Sequence, residues 1–206
     1  MVQCYDILLA SGSPRRKELL TQAGFRFAVK TADVDETTEE KDPVKVVETL
    51  SRRKAEAVYN VVYSGEEKSA EIDKESCNPL VVAADTIVSR DGEILGKPRD
   101  EADACRMLRE LSGRTHVVYT GVTLITPDGV RRTFSNGTKV KFYPISEEEI
   151  REYVASGETM DKAGAYGIQG LGARLVERIE GDYNNVVGFP LAHFIRVLEE
   201  EGLIRW

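Results

Sequence analysis

The stretch PLVVAADTIV, residues 79–88, constrains the fold of this 206-residue chain more than any other. It is apolar at consecutive positions, whereas a strand with one face in solvent would alternate apolar and polar side chains. It therefore predicts a central strand with structure packed on both faces. One acid, Asp85, interrupts the run. A carboxylate in such a strand is costly to bury unless it faces a cleft, binds a metal or pairs with a cation.

Helix and strand signals alternate along the chain. Residues 5–11 predict a strand, and Ser13 followed by Pro14 predicts a helix that begins directly after it. Asp42 and Pro43 repeat this arrangement at the start of a long helix. The later predicted elements are a hairpin turn at 91–92, a helix capped by Asp100, strands within 116–134 and 138–145, a capping box at Ser146 and a last helix from Pro190. The order predicts a mixed α/β fold, with a twisted mixed sheet and flanking helices.

Length and composition bound the domain organisation. With 41% hydrophobic residues, the chain can bury a core of ordinary size. We expect one domain over 1–206, built as two lobes around a central cleft. Residues 64–79 are polar and charged without periodicity, which predicts an exposed insertion that carries no chemistry.

The charge balance excludes several classes of partner. The chain has 35 acidic and 28 basic residues, and a nucleic-acid or membrane-surface binder needs a broad basic face. Any bound anion should therefore be small and locally caged. The N-terminus lacks the basic region and long apolar run of a signal peptide or membrane span. The three cysteines, at unrelated spacings, favour reduced thiols, so we expect a cytoplasmic protein.

The stretch SGSPRR at 11–16 has the components of an anion site. The backbone N–H groups of a helix start can be joined by the hydroxyls of Ser11 and Ser13 and by the guanidiniums of Arg15 and Arg16. This combination suits a phosphate chain. The alternative is an ordinary capped helix with solvated arginines, although positive charge at a helix start opposes the dipole. The sequence contains no GxxxxGK[ST] motif, so it is not a P-loop NTPase by motif.

Asp85 has two functional interpretations and one structural interpretation. In a cleft it can bind a divalent metal or accept the proton of an attacking water, whereas a structural pair with a lysine needs no ligand. The adjacent acids Asp35 and Glu36 would supply a second carboxylate for a hard cation such as Mg²⁺ only if they lie near Asp85. Lys54 and Lys97, together with the arginines, could neutralise a triphosphate and its pyrophosphate leaving group.

The glycine-rich stretch 161–175 begins with Asp161 and has too many glycines for a buried helix. It fits a backbone-lined pocket wall, with an ordinary turn as the alternative. The carboxamide of Gln169 can donate and accept side by side, which matches the edge of uracil or thymine. His116 and His193 have no visible partner and are expected to be structural or exposed.

Seven motifs together resemble those of the Maf family of nucleoside triphosphate pyrophosphatases, in the family's order from Leu9 to about Leu191. They are LASGSPRRKELL, DVDE, RRKAEAV, AADTIV, GKPRD, DKAGAYGIQG and VVGFPL. The resemblance implies a two-lobed α/β fold related to the inosine triphosphatase architecture, commonly dimeric. It also implies hydrolysis between the α and β phosphates with a divalent metal, Mg²⁺ first, with Mn²⁺ or Co²⁺ as alternatives.

The resemblance also implies roles for individual residues. Asp85 matches the proton acceptor and, with Glu36, the expected metal ligands. The expected substrate-binding residues are Ser11, Ser13, Arg15, Arg16, Lys54, Thr86, Lys97, Asp161 and Gln169. Arg15, Thr86 and Gln169 resemble the dTTP/UTP pyrophosphatase branch, whereas the 7-methyl-GTP branch has tryptophan, glutamine and glutamate at these positions.

The expected activity is thus release of pyrophosphate from dTTP, UTP and modified pyrimidine triphosphates, by a homodimer that binds neither nucleic acid nor membrane. One alternative is a non-catalytic nucleotide-binding regulator of cell division, which would need no poised acid such as Asp85. A phosphatase or kinase-like transferase is a further alternative, but the sequence shows no acceptor site and no cysteine nucleophile in a phosphate loop.

Overall fold

A computed structural model describes residues 1–63 and 78–205, and its elements are numbered here in chain order. The helices are α1 (Pro14–Gln22), α2 (Pro43–Tyr63), α3 (Glu101–Leu111), α4 (Glu147–Ala155), α5 (Tyr183–Val187) and α6 (Leu191–Glu200). The strands are β1 (Val2–Gln3), β2 (Ile7–Leu9), β3 (Phe27–Val29), β4 (Leu80–Arg90), β5 (Glu93–Leu95), β6 (Thr115–Ile125), β7 (Arg131–Phe142), β8 (Val176–Glu180) and β9 (Ile204–Arg205). Two 3₁₀ turns, Ala163–Ala165 and Gly170–Leu175, lie in the glycine-rich stretch.

Seven strands form one mixed sheet in the order β3-β2-β4-β6-β7-β8, with β5 paired to β4. β2 runs parallel to β3 and to β4, whereas the pairs β4–β6, β6–β7 and β7–β8 are antiparallel. α1 and α2 provide the connections that parallel strands require. β1 and β9 form a separate antiparallel pair. The architecture confirms the predicted mixed α/β class, a mixed sheet with flanking helices.

β4 lies in the middle of the sheet and is buried on both faces, as its apolar run predicts. On one face, Ala83 shares a core cluster with Ala55 and Val58 of α2. On the other face, Val82 and Ala84 belong to a larger core that includes side chains of α1 and α6. Because each buried aliphatic side chain contributes roughly 1.5–3 kcal/mol, two-sided burial anchors β4 firmly.

The alternation of side chains along β4 separates Asp85 from its neighbour Thr86. Successive residues of a strand point to opposite faces of the sheet. Asp85 faces α2, where it meets Lys54. Thr86 faces α1, where it meets Arg16. Asp85 and Thr86 thus lie on opposite faces of the sheet.

β7 joins the two strand-forming stretches 116–134 and 138–145, because it runs without a break through residues 135–137. Ser, Asn and Gly favour turns when only local preferences act. Here each of the three residues pairs with a residue at 119–121 of β6, and this pairing outweighs the local preference. The short elements β1, β3, α5 and β9, of 2 to 5 residues, are too short for a periodic sequence signal.

The predicted insertion at 64–79 falls mostly outside the described residues, since 64–77 are not described. Pro79 is buried, and its carbonyl accepts a hydrogen bond from the Tyr63 hydroxyl at 2.8 Å. The division into one domain with two lobes stays a prediction. Within 1–63 and 78–205, no helix has both the length and the hydropathy to span a membrane.

Candidate active site

A cavity of about 860 Å³ opens where β2 ends and β4 continues. Leu9, the last residue of β2, pairs with Val82, while β4 runs on to Arg90. The cavity thus lies at the carboxyl end of a parallel strand, where ligands of open α/β sheets bind. The side chains predicted to bind substrate or metal all line it: Ser11, Ser13, Arg15, Arg16, Glu36, Lys54, Asp85, Thr86, Lys97, Asp161 and Gln169.

The first turn of α1 faces the cavity. Ser13 occupies the N-cap position, but its hydroxyl makes no capping hydrogen bond, so the expected side-chain cap is absent. Its backbone N–H instead donates to Ser11 Oγ at 3.3 Å. No acidic residue lies in the first turn. The positive end of the helix dipole therefore faces the cavity without an acidic side chain in the same turn of the helix.

The guanidinium of Arg16 donates to three acceptors around the cavity. Nε donates to Gly188 O at 2.8 Å, Nη1 to Ser11 Oγ at 2.8 Å and Nη2 to Thr86 Oγ1 at 3.1 Å. Burial lowers the pKa of Arg16 to about 10, while the charge of Asp85 acts in the opposite direction. Arg16 is thus charged at neutral pH. Since a guanidinium has five N–H donors, two stay available for a ligand.

Arg15 connects α1 to the glycine-rich stretch. Its Nη1 lies 3.2 Å from Asp161 Oδ2, and Lys162 Nζ lies 2.7 Å from Asp161 Oδ1. Burial acts to raise the pKa of Asp161, but hydrogen bonds from Lys162 and Arg15 outweigh it and lower that pKa. Asp161 is therefore ionised and paired with two cations. Asp161 thus holds Arg15 and Lys162 at the cavity, and its part in substrate binding stays a prediction.

Lys54 joins the two carboxylates predicted to bind metal. Its Nζ lies 2.5 Å from Asp85 Oδ1 and 2.8 Å from Glu36 Oε1. The hydrogen bond from Lys54 lowers the pKa of Glu36, with smaller contributions from the charges of Lys97 and Arg16. Asp85 is only 8% exposed and nonetheless lines the cavity. Asp85 therefore pairs with a lysine and also faces the cavity, although the sequence analysis gave these as alternative interpretations.

The neighbours Asp35 and Glu36 point in different directions. The Asp35 carboxylate accepts hydrogen bonds from the backbone N–H and the hydroxyl of Thr37, at 2.8 and 2.9 Å. Arg53 of α2 donates to the carbonyls of Asp35 and Thr37, at 3.2 and 2.6 Å. These contacts fix the turn so that Glu36 reaches Lys54. Of the two acids, Glu36 alone lines the cavity.

Lys54 reaches Asp85 because α2 lies very close to the sheet. Gly121 of β6 is the cross-strand partner of Asp85. A Cβ at Gly121 would lie 2.4 Å from the carbonyl oxygen of Val47. Its absence lets the backbone of α2 rest on β6. Lys54 follows Val47 by two helical turns and so lies on the same face of α2.

The stretch 161–175 contributes one wall of the cavity and is held from behind by Tyr153 of α4. The backbone N–H of Gly167 donates to the Tyr153 hydroxyl at 3.1 Å. A Cβ at Gly172 would lie 2.2 Å from Gly167 O and 2.6 Å from that hydroxyl, so the turn requires glycine. Gln169 lies between these glycines. No residue within 1–63 or 78–205 hydrogen-bonds its carboxamide, which leaves the amide available to a ligand.

Sequence reasoning missed a chain of hydroxyls behind Arg16. Thr86 Oγ1 lies 2.9 Å from Thr120 Oγ1, and Thr120 donates to Asn185 O at 3.0 Å. Thr86 and Thr120 are cross-strand partners on β4 and β6. Knowledge of the register between β4 and β6 would have revealed this pair, but the local sequence carries no signal for strand register. Tyr153, which holds the glycine-rich wall, was missed for the same reason.

The histidines and the cysteines Cys4 and Cys105 do not line the cavity. His116 is buried, and its Nε2 lies 2.7 Å from the Tyr166 hydroxyl. His193 on α6 hydrogen-bonds Asn136. Cys4 and Cys105 are free thiols, and Cys77 lies outside the described residues.

The described lining of the cavity is electrically balanced. Its five cationic side chains are Arg15, Arg16, Lys54, Lys97 and Lys162. Its five carboxylates are Asp33, Glu36, Glu40, Asp85 and Asp161. A polyanionic ligand therefore gains little from net charge and needs either a specific arrangement of cations or an added cation.

Asp85 and Glu36 suit a metal that is shared with a ligand. Mg²⁺ is commonly bound by one or two carboxylates together with substrate phosphates. Among the described residues, no cluster of three or more His, Cys, Asp or Glu side chains could hold a metal by itself. Because Lys54 already contacts one oxygen of each carboxylate, Asp85 and Glu36 would hold a divalent cation only together with phosphate oxygens of a ligand.

Comparison with known proteins gives matches across nearly the whole chain. Residues 6–201 match the Maf family, described as Maf-like protein. The chain is 50% identical to the dTTP/UTP pyrophosphatase of Agathobacter rectalis over 202 residues, covering 96% of this chain and 98% of the relative. It is 48% identical to the dTTP/UTP pyrophosphatase of Carboxydothermus hydrogenoformans over 197 residues, covering 95% and 98%.

Among solved structures, the chain is similar to the Staphylococcus aureus Ham1 protein. The TM-score is 0.50 at 15% sequence identity, covering 95% of this chain and 99% of that one. At this identity the likeness concerns the fold alone. It agrees with the mixed sheet and flanking helices described above.

Proposed function

The chain belongs to the Maf family, and from that premise we propose that it hydrolyses dTTP and UTP to the nucleoside monophosphate and pyrophosphate. Relatives 45–50% identical over nearly its whole length are named dTTP/UTP pyrophosphatases. The observation that carries the proposal is Asp85, a nearly buried carboxylate facing a cavity lined by cations. A carboxylate within reach of a ligand in a cleft, beside cations that can bind phosphate, is a candidate general base.

The triphosphate is bound by cations and donors from three elements. Arg15, Arg16 and the backbone N–H groups of α1 lie on one side, with the hydroxyls of Ser11 and Ser13 beside them. Lys54 and Lys97 approach from α2 and from the segment after β5. Charge-assisted hydrogen bonds to phosphate are stronger than neutral ones, so this set supports binding of the ground state and of the leaving pyrophosphate.

In the proposed reaction, Asp85 accepts a proton from a water molecule as the water oxygen attacks the α-phosphorus. The bond from the α-phosphorus to the oxygen that bridges it to the β-phosphorus breaks, and pyrophosphate leaves. Lys54, whose Nζ lies 2.5 Å from Asp85 Oδ1, orients the carboxylate of Asp85. A divalent cation held by Asp85 and Glu36, Mg²⁺ or otherwise Mn²⁺ or Co²⁺, supplies positive charge to the phosphate oxygens when bound.

Gln169 is the proposed reader of the pyrimidine edge. Its amide lies on the cavity wall with no hydrogen bond to any described residue. A carboxamide supplies one donor and one acceptor side by side, which complements the carbonyl and N–H of uracil or thymine. The apolar residues of the same cavity, among them Val88, Val118 and Ile168, suit the faces of a planar base.

The alternative of a non-catalytic regulator is not favoured, because a binding protein needs no acid beside the phosphate site. The homodimer, the cytoplasmic location and the lack of nucleic-acid or membrane partners stay predictions. So does the acceptance of modified pyrimidine triphosphates.

The test is a product assay with the purified protein, Mg²⁺ and a panel of canonical and modified nucleoside triphosphates, resolved by ion-exchange chromatography. We expect nucleoside monophosphate and pyrophosphate, formed fastest from dTTP and UTP. Orthophosphate and nucleoside diphosphate would place the cleavage at a different bond. Tight binding without turnover would favour the regulator.

A further inference from the structure

We propose that Tyr153 and Glu158 are positioning residues that hold the Gln169 segment, residues 167–171, in place for the base. This role rests on the proposed function, because it concerns how Gln169 meets the pyrimidine. Neither Tyr153 nor Glu158 is among the residues that line the cavity, so each acts through the segment and not on the substrate.

Two hydrogen bonds flank Gln169 at equal distances along the chain. Gly167, two residues before it, donates its backbone N–H to the Tyr153 hydroxyl at 3.1 Å. Leu171, two residues after it, donates its backbone N–H to Glu158 Oε1 at 3.2 Å. Both acceptors come from α4 or from the three residues that follow it. The backbone on each side of Gln169 is therefore fixed by a side chain from the same part of the fold.

The segment also rests directly on these two oxygen atoms. A Cβ at Gly170 would lie 2.8 Å from Glu158 Oε1, and Gly170 has a φ of +64°. A Cβ at Gly172 would lie 2.6 Å from the Tyr153 hydroxyl oxygen. Each acceptor thus both receives a hydrogen bond from the segment and packs against a glycine beside it.

Tyr153 is itself held firmly. Its side chain is fully buried and shares a core cluster with Met107 of α3 and Ile150 of α4. Burial raises the pKa of the Tyr153 hydroxyl, and the charge of Glu158 acts in the same direction. The hydroxyl is therefore protonated and neutral at neutral pH, and it keeps a lone pair for the N–H of Gly167.

The position of the Gln169 amide depends on this support because the amide itself makes no hydrogen bond to any described residue. Gly167 and Gly170 lie on either side of it, and glycine loses more conformational freedom than any other residue when it is fixed. Without the two hydrogen bonds, the segment would have to be ordered when the nucleotide binds, which weakens binding.

The phosphate end of the glycine-rich stretch is held by other contacts. Asp161 lies 3.2 Å from Arg15 Nη1 and 2.7 Å from Lys162 Nζ. Lys162 also donates to the backbone carbonyl of Glu158, which a side-chain substitution keeps. Loss of the Tyr153 hydroxyl or of the Glu158 carboxylate should therefore weaken the contact with the base and leave phosphate binding unchanged.

The experiment compares the affinities of two probes by calorimetry in the presence of Mg²⁺. One probe is the non-hydrolysable α,β-imido analogue of dUTP, and the other is inorganic tripolyphosphate, which has no nucleoside. The ratio of the two affinities measures the contribution of the nucleoside to binding. The melting temperature of each variant is measured alongside.

The variants are Tyr153→Phe, Glu158→Ala, Gln169→Ala and the double variant Tyr153→Phe/Gln169→Ala. Glu158→Gln tests rescue, because its amide oxygen can still accept from the N–H of Leu171. Tyr63→Phe is the matched control, since the Tyr63 hydroxyl also bonds the backbone, at 2.8 Å, but does not line the cavity.

We expect Tyr153→Phe and Glu158→Ala to lower the affinity ratio by about three- to tenfold, the range for one lost hydrogen bond, with tripolyphosphate binding unchanged. Gln169→Ala should lower the ratio as well. The double variant should lose little more than Gln169→Ala alone, because the hydroxyl acts through Gln169. Glu158→Gln and Tyr63→Phe should keep the ratio of the wild type.

Four results would overturn the inference. Tyr153→Phe and Glu158→Ala could keep the wild-type ratio while Gln169→Ala lowers it, in which case Gln169 needs no support from them. Both could weaken the two probes equally, which indicates a general loss of structure. Tyr153→Phe could have its full effect in the Gln169→Ala background, which excludes action through Gln169.

The fourth result is a wild-type ratio in Gln169→Ala, which would remove the proposed base contact together with its support. Because binding is measured without turnover, all four are distinct from a failure to release pyrophosphate in the product assay.

Discussion

At the scale of single residues, Asp85 and Asp103 are two nearly buried carboxylates with different surroundings. Asp85 meets Lys54 inside the cavity, whereas Asp103 on α3 accepts from Arg99 and Arg106 outside it. Both need a cation, because an unpaired buried charge is strongly destabilising. Asp85 alone is placed where it can act on a ligand.

Asp85→Asn keeps the shape of the side chain and removes its basicity. We expect kcat for dTTP to fall about 100-fold or more, the contribution of a general base, and initial-rate measurements would check it. Asp103→Asn is the matched control, and it should lower the melting temperature without changing kcat. A near-normal kcat in Asp85→Asn would remove Asp85 from the role of base.

His116 makes the stability of the protein depend on pH. Burial lowers its pKa to about 4, against roughly 6.5 in an unfolded chain. Between these two values the unfolded chain binds a proton that the folded protein does not, so stability falls as the pH falls through this window. The contribution lost between pH 7 and pH 4 is about 3 kcal/mol.

His116→Gln keeps a side chain that can donate to or accept from the Tyr166 hydroxyl, and it removes the titration. Urea unfolding at a series of pH values should show that the variant loses about 3 kcal/mol less than the wild type between pH 7 and pH 4. Comparing how the free energy of unfolding changes with pH in the two proteins cancels any pH-independent destabilisation that the substitution causes. Parallel pH profiles would show that His116 is not the group responsible.

At the scale of elements, the contact between α2 and β6 sets the geometry of the acid. Gly121→Ala would force its Cβ against the carbonyl of Val47, and only a shift of α2 can relieve the clash. We expect a loss of roughly 1–3 kcal/mol of unfolding free energy, typical of overpacking. Because Lys54 moves with α2, kcat should fall as well.

Gly137→Ala on β7 is the control for Gly121→Ala. A Cβ there would lie 2.9 Å from Cε1 of Tyr119, a ring edge that can turn aside, rather than from backbone. Its effect on denaturant unfolding and on kcat should be clearly smaller. Equal effects in the two variants would mean that the approach of α2 is not critical.

Elements with a local signal were predictable from sequence, and those that depend on distant partners were not. The two-sided apolar run of β4 and the capping box of Ser146 and Glu149 depend on neighbouring residues, and both occur as expected. Residues 135–137, which carry no strand signal of their own, belong to β7 because β6 supplies their pairing partners.

The candidate site shows the same division. Motifs identified residues that line one cavity, but their pairing partners were left open. Lys54 pairs with Asp85 across 31 positions, and Arg15 with Asp161 across 146. Such pairs are set by topology and by side-chain length, and neither has a periodic pattern in the sequence.

At the scale of the whole molecule, charge decides how a polyanion can bind. The chain carries a net charge of −7, and the described lining of the cavity balances five cations with five carboxylates. Long-range electrostatic attraction therefore contributes little to the binding of a triphosphate. A divalent cation that enters together with the substrate would supply the positive charge that the lining does not.

Removal of divalent metal should thus weaken nucleotide binding and abolish hydrolysis. Calorimetry with a non-hydrolysable α,β-imido analogue of dUTP, with Mg²⁺ and with EDTA at matched ionic strength, should show affinity lower by about tenfold or more without metal. Affinity that is the same in both buffers would indicate that the protein's own cations suffice.

The opposite orientations of Asp85 and Thr86 limit how the length of this chain can vary. Inserting one residue in β4 ahead of Asp85 would exchange the two faces, turning the acid away from Lys54 and the threonine away from Arg16. Inserting two residues would return both side chains to their original faces, although each would be displaced along the strand. Substitutions in β4 can therefore accumulate one at a time, whereas changes in its length must come in even steps for the acid and the arginine to keep their partners.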